Sequence, residues 1–358
     1  MYIGIPKEIR PFEYRVGLSP AGVEILIRAG HTVYIQHEAG LAARFPDKEY
    51  EEVGAKVAYA TDEIYGRADL ILKVARPTED EIDLFRPGST IAGLLHLAST
   101  RQSRIDELLE NKITSIAYEQ IQEEDGSLPV LRPLSQIGGA MAAEVASRYL
   151  QSNHGGRGVL LGGIPGVPPA EVAILGGGVL GMYAARSFIG LGAHVTVLDR
   201  DINALQRISQ ALPTVVTLVS TERNIRRVCS YAEVFVGAVL NPGERAPILV
   251  PREVVKTMRP LSVIIDTSID EGGCVETSRP TAHDAPTYVE EGVIHYCVPN
   301  MPGVVARTAT HGFVNAALPY ILEIANAGVD KAIEQNPAIK AAVNTYKGDV
   351  YHLFRPNK

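Results

Sequence analysis

The sequence predicts an α/β protein with two doubly wound, mostly parallel sheets, one domain inserted into the other and a cleft between them. Three observations carry that expectation. Short apolar runs alternate with helical stretches over roughly the first 130 residues. A second alternating series runs from Ala170 to Asp266 and opens on a glycine turn. Two helical stretches, 308–325 and 329–345, then follow with no strands after them, so the most economical path returns the chain to the first domain. The expected boundaries are 1–133 with 305–358 for the discontinuous domain and 134–304 for the inserted one.

In chain order, the expected strands of the first series are Tyr2–Ile5, Thr32–Gln36, Leu70–Val74, Thr90–Leu94 and Ser115–Ala117. Helical spacing marks Pro20–Ala29, where Ser19 suits an N-cap with Pro20 at the first helical position, and Thr100–Glu110. An Ala-rich helix is expected over 134–151. The segment Gly155–Pro169 is a loop of Gly, Pro and apolar residues, a composition that fits a surface covered by a partner. Expected strands of the second series lie near 171–175, 193–198, 214–218, 233–237 and 261–266.

The glycine turn is the most informative motif. Gly176, Gly178 and Gly181 form G-x-G-x-x-G directly after the apolar run Val172–Leu175 and ahead of a helix to about Leu191. In a Rossmann unit such a turn brings helix N-terminal amides to a pyrophosphate, and a glycine at the second position leaves room for it. The next apolar run, Val195–Leu198, ends in Asp199, whose carboxylate can accept from a ribose diol and repel a 2′-phosphate. The predicted cofactor is therefore NAD.

Bulk properties narrow the class. A net charge of −7 leaves no basic stripe for nucleic acid. Cys229, Cys274 and Cys297 are isolated, as in a reducing compartment, and they suggest neither a disulfide framework nor a zinc site. No apolar run reaches membrane-spanning length and the N-terminus lacks a signal-peptide pattern, so the expected setting is cytoplasmic. The histidines show no i, i+4 pair, and no metal is expected.

Four places outside the turn could carry chemistry. Arg15, just before a helix start, offers a fork matched to a carboxylate, or else caps a surface. His96 follows the run ending at Leu95, at the mouth of the sheet, where an imidazole can move protons, although a lone histidine beside an apolar run is more often structural. Asp270 follows the strand Val263–Ile265 in the same way, although Asp before glycines is also common turn chemistry. Asn300 and Met301 precede the long helix and could touch a nicotinamide ring or simply form a turn.

Taken together, the chain resembles the alanine dehydrogenase family, whose relatives include the NAD-binding part of proton-translocating transhydrogenase. The resemblance rests on IGIPKEIRPFEYRVGLSPAGV (3–23), LLHLA (94–98), IAYEQIQ (116–122), GGRGVLLGGIPGVPPAEVAILGGGVLG (155–181), IDEGGCVETSRPTAHDAPTY (269–288) and HYCVPNMPGVVARTAT (295–310). It implies oxidative deamination of L-alanine to pyruvate and ammonia, with Arg15 on the substrate carboxylate and His96 and Asp270 handling protons. It also implies Ser135, Val239, Leu240, Asn300 and Met301 along the cofactor, beside Val179 in the turn and Asp199 at the ribose. A homo-oligomer, specifically a hexamer, is implied too, and the apolar stretch Val350–Phe354 reads as further interface material.

Three departures fall on the substrate side. Where the family pattern reads Lys-Val-Lys-Glu-Pro, this chain reads Lys73-Val74-Ala75-Arg76-Pro77, so Ala75 replaces a lysine that would contact substrate oxygen. Lys73, on the same side of an extended strand, or Arg76 after a local twist, is the expected substitute. The pattern Met-Ser-Glu-Val-Ala-Gly-Arg becomes Leu134 to Ala140, with Gly138 and Gly139, losing an acid and a guanidinium together. Pro-Arg-Thr-Ser-Thr-Phe becomes Ala306 to His311. These changes leave open a different amino or imino acid as substrate, or a non-catalytic NAD-binding protein.

Overall fold

Runs rich in β-branched residues supply the strands, and the amphipathic stretches between them supply the helices. The computed structural model describes residues 1–241 and 245–353. The chain lays down β1 (Tyr2–Ile5), β2 (Thr32–Gln36), β3 (Lys56–Ala58), β4 (Leu70–Ala75), β5 (Thr90–Leu94) and β6 (Thr114–Ala117). It continues with β7 (Glu171–Leu175), β8 (His194–Asp199), β9 (Val216–Val219), β10 (Val234–Gly237), β11 (Val263–Asp266), β12 (Thr287–Glu290) and β13 (Val293–Tyr296). It closes with β14 (Val343–Tyr346) and β15 (Asp349–Val350).

Two units result: Met1–Leu134 with Gly303–Lys358, and Ser135–Pro302. Among the described residues the first carries an eight-stranded sheet of order β15-β14-β6-β5-β4-β1-β2-β3. The second carries a seven-stranded sheet of order β12-β13-β11-β10-β7-β8-β9. In both, the first strand of the unit is flanked by the second and the fourth, and its neighbours run parallel. Each sheet ends in antiparallel pairing, β14 on β6 and β12 on β13. The predicted fold class of two mostly parallel α/β sheets holds.

Local signals act as read at the first helix. Ser19 caps Pro20–Arg28, its hydroxyl accepting from the Gly22 amide, and Pro20 opens the helix.

The stretch 329–345 departs from expectation. Helices span Val329–Gln335 and Pro337–Ala341, and the chain then forms β14. Pro337 disfavours helix at the residue before it, and Asn336 is extended at φ −113° and ψ 107°. The Asn336 side chain then starts the next helix by accepting from the Ala338 and Ile339 amides. Val343 and Thr345 favour the strand that follows. Thr345 also lies 2.7 Å from Ser115 through the two hydroxyls, fastening β14 to β6.

The apolar C-terminal stretch divides. Leu353 packs against a core cluster of the first unit, Val350 and Tyr351 are exposed, and Phe354 lies outside the described residues. Strands β3, β12, β13 and β15 were not foreseen either. β15 pairs antiparallel with β14, and β12 and β13 form a hairpin whose turn residues, Glu291 and Gly292, both have positive φ, at 51° and 74°.

Candidate functional site

Ligands of doubly wound sheets bind beyond the carboxyl ends of the strands, where the strand order reverses. That edge carries polar groups in both units.

In the first unit, Gly17 presses the segment after β1 against β4, since a Cβ there would lie 2.2 Å from the Leu72 carbonyl oxygen. This close approach buries Arg15, whose guanidinium pairs with Glu13 at two points, Nε to Oε1 at 2.7 Å and Nη2 to Oε2 at 2.5 Å. The two-point pairing fixes the plane of the fork. Arg15 and Glu13 line a cavity of about 450 Å³ with Lys7, Glu8, Tyr14 and Arg44.

Lys73 does not take the part foreseen for it. Its side chain is 1% exposed and its ammonium lies 2.6 Å from Glu81 and 3.2 Å from Glu8. Tyr65 donates to the same Glu81 oxygen at 2.8 Å, and the Thr78 amide donates to the other. Burial opposes charge on Lys73, yet the two carboxylates outweigh it and raise its pKa. Burial likewise opposes ionisation of Glu81, but Lys73 wins and holds it below the usual range, whereas burial pushes Glu8 up. Glu8 also accepts from the amides of Val74 and Ala75, where the β4–β5 register shifts between Leu72 and Ala75. That irregularity breaks the alternation on which the Lys73 expectation depended. Arg76, half-buried, turns its guanidinium toward the loop after β5, donating to the His96 carbonyl at 3.4 Å and the Thr100 hydroxyl at 3.3 Å.

His96 leaves the end of β5 in the left-handed region, φ 42° and ψ 44°, a conformation costing a non-glycine residue roughly 1–3 kcal/mol. Glu119, just past β6, accepts from the Leu95 amide at 3.1 Å and the His96 amide at 2.6 Å. The imidazole remains 38% exposed, with Nδ1 4.0 Å from the same carboxylate.

In the second unit the turn after β7 is built from the backbone. Gly176 has φ +113°, and a Cβ there would meet the Ala238 carbonyl oxygen at 2.2 Å. A Cβ on Gly181 would lie 1.9 Å from the Gly176 carbonyl oxygen, so this glycine permits the close return of the helix Val179–Gly190. Gly178, the N-cap of that helix, has open space where a Cβ would project. The turn thus leaves helix N-terminal amides approachable, which fits a pyrophosphate. Asp199, at the end of β8, accepts from the Gly177 amide at 2.5 Å and the Asp201 amide at 2.8 Å, which orients its carboxylate over the turn.

The other positions foreseen in this unit follow the same edge. Val239 comes after β10 and donates its amide to Ser268 Oγ at 2.9 Å. Asp270, exposed, comes after β11 and accepts from the Asn300 amide at 3.3 Å. Asn300 has φ 55°, Met301 is 4% exposed, and Val179 and Leu240 are exposed. Ser135 lies in the helix Arg132–Tyr149, partly buried. In that helix Gly139 makes a tight contact: a Cβ there would sit 2.4 Å from the Leu180 carbonyl oxygen. His311 in the first unit stacks edge-on against Phe45, with ring centroids 5.2 Å apart.

Sequence reasoning overlooked Glu8, Glu13, Glu81, Glu119 and Ser268. For Glu119 a signal existed, since it follows a strand end as His96 and Arg76 do. The other acids are revealed only by their partners. Among the described residues no cluster of His, Cys, Asp and Glu could hold a metal, and no helix is long and apolar enough to cross a membrane.

The family described as "Alanine dehydrogenase/PNT, N-terminal domain" matches residues 4–138, and "Alanine dehydrogenase/PNT, C-terminal domain" matches residues 142–353. An alanine dehydrogenase of Methanococcus maripaludis is 47% identical over 98% of this chain and 94% of its own length. A solved L-alanine dehydrogenase superposes with a TM-score of 0.94 at 43% identity, covering 98% of this chain and 97% of its own. A transhydrogenase from Sinorhizobium meliloti superposes with a TM-score of 0.83 at 25% identity, covering 98% and 99%. With both domains matched and near-complete relatives well above 30% identity, the chain belongs to the alanine dehydrogenase/PNT family.

Proposed function

We propose that the protein catalyses the reversible, NAD-dependent oxidative deamination of L-alanine to pyruvate and ammonia. The observation that carries this reading is His96, held by its backbone at the mouth of the first sheet with its imidazole partly open. When bound, NAD supplies the acceptor for the hydride leaving the substrate Cα. The amides that open the helix Val179–Gly190 hold the pyrophosphate, and Gly178 keeps that approach clear. Asp199 accepts from the ribose and disfavours a 2′-phosphate. Ser135, Val239, Leu240, Asn300 and Met301 line the rest of the cofactor. The discontinuous unit serves the substrate and the inserted unit serves NAD.

Arg15 binds the substrate carboxylate in the orientation that Glu13 imposes. The His96 imidazole and the Asp270 carboxylate accept protons from the amine and from the water that attacks the imine. They return a proton to nitrogen as the carbinolamine collapses to ketone and ammonia. Lys73 takes no part, and Arg76 donates to the His96 carbonyl along this edge.

Exposed Leu160, Ile164 and Val167 in the loop between the long helix and β7 support a homo-oligomer, a hexamer by resemblance. A molar-mass measurement in solution checks it. Three buried thiols support a cytoplasmic setting.

The deciding experiment is a panel of amino acids with NAD and NADP, read as reduced cofactor in both directions. L-Alanine with NAD at alkaline pH, where the amine is unprotonated, should give NADH. Absence of turnover with every amino acid, while NADH still binds, overturns the proposal.

A further inference from the structure

We infer that Arg76 and Glu119 clamp the His96 peptide from its two sides, making Arg76 a positioning residue that acts through His96 and does not touch the substrate. The inference rests on the function proposed above only in its kinetic consequences.

His96 carries a side chain in a backbone conformation that such residues disfavour, so something outside the loop must hold it there. Glu119 holds the amino side, taking the amides of Leu95 and His96 on its two oxygens. Its side chain is 9% exposed, so water competes poorly for those bonds. Arg76 holds the carbonyl side. One guanidinium nitrogen reaches both the His96 carbonyl and the Thr100 hydroxyl, at the two ends of the single turn Leu97–Ser99.

Arg76 is itself anchored. Arg10 donates through Nε to the Arg76 carbonyl at 2.9 Å and through Nη2 to the Pro77 carbonyl at 3.4 Å. The path runs from the segment after β1, through the end of β4, to the loop after β5 and the residue after β6. Four strand ends are thereby fastened around one imidazole. Burial and the nearby Arg10 and Arg104 push the Arg76 pKa down, while Glu119 across the His96 peptide offsets that crowding.

The test compares Arg76→Ala, Arg76→Gln and wild type in the full-length protein, by steady-state kinetics with L-alanine and NAD and by amide hydrogen exchange. Arg76→Ala should lower kcat about 10- to 100-fold with KM for L-alanine within about twofold, because misplacing a proton-transfer group slows chemistry without loosening the substrate. Arg76→Gln, which keeps a neutral donor for the His96 carbonyl, should recover most of that loss. Exchange should quicken about tenfold over 95–100 in Arg76→Ala, with the other segments of the first unit unchanged. A raised KM with kcat unchanged would make Arg76 a direct substrate contact and overturn the inference. Exchange unchanged over 95–100, or faster throughout the first unit, overturns it as well. Should wild type give no NADH from any amino acid, the proposed function fails, and hydrogen exchange alone then judges the clamp.

Discussion

The two sheets share one strand order about their first strand and finish their carboxyl edges in different materials. The second unit builds its edge from backbone: a positive-φ glycine, a helix N-terminus and a carboxylate tied to a glycine amide. The first builds its edge from paired charges, Arg15 with Glu13 and Lys73 with Glu8 and Glu81. A backbone cradle suits a pyrophosphate, which is the same in every turnover. A charged edge can be changed one side chain at a time, and Ala75 and Arg76 lie at that edge.

The comparison can be tested from its strongest consequence downward. His96→Ala in one unit and Asp270→Asn in the other should each lower kcat by about 10²–10⁴-fold, the worth of a positioned proton-transfer group. Retained activity in either variant would assign proton transfer to one unit alone.

Next in size, Lys73→Met leaves two buried acids without their cation and should cost about 3–5 kcal/mol in denaturant unfolding. The sign with pH follows from Glu81. Its folded-state pKa is lowered, so its stabilisation is present above the unfolded value and lost as pH falls through the folded one. Without Lys73 the buried acids favour protonation, so the gap between variant and wild type should narrow on acidification. A gap independent of pH would mean that lost packing, not charge, dominates.

A smaller effect separates two glycines of one motif. Gly181→Ala forces a side chain against the Gly176 carbonyl and should lower stability by about 1–3 kcal/mol. Gly178→Ala should leave unfolding unchanged and weaken NADH binding, measured by fluorescence titration. Equal stability losses would reduce the motif to a packing device.

The smallest effect is expected from Ala75→Lys, which adds a cation at the proposed substrate edge and should raise kcat/KM for L-alanine by at most about tenfold. No change would show that the Arg15 and His96 edge already suffices.

What was legible in the sequence follows the same division. Glycine spacing, a strand-ending Asp199 and the Ser19–Pro20 cap are short-range signals whose consequences are local, and the structure carries them out. The withdrawal of Lys73 was not legible, because it depends on Glu8, distant in sequence, and on a register shift that alternation cannot anticipate. The strand β14 was hidden for a related reason. Helical spacing over 329–345 is continuous in the sequence, yet the single Asn336-Pro337 step interrupts the helix.

That late strand bears on how the protein is made. Among the described residues the strands of the inserted sheet all precede Pro302, so this unit can complete its hydrogen bonding while synthesis continues. The surrounding sheet must wait until residue 346 has emerged before β6 gains its antiparallel neighbour. Until then β6 is an unprotected edge, open to pairing with another nascent chain. Ribosome pausing or truncation before residue 343 should therefore yield a soluble inserted domain attached to an aggregation-prone half, which protease protection of arrested chains would reveal.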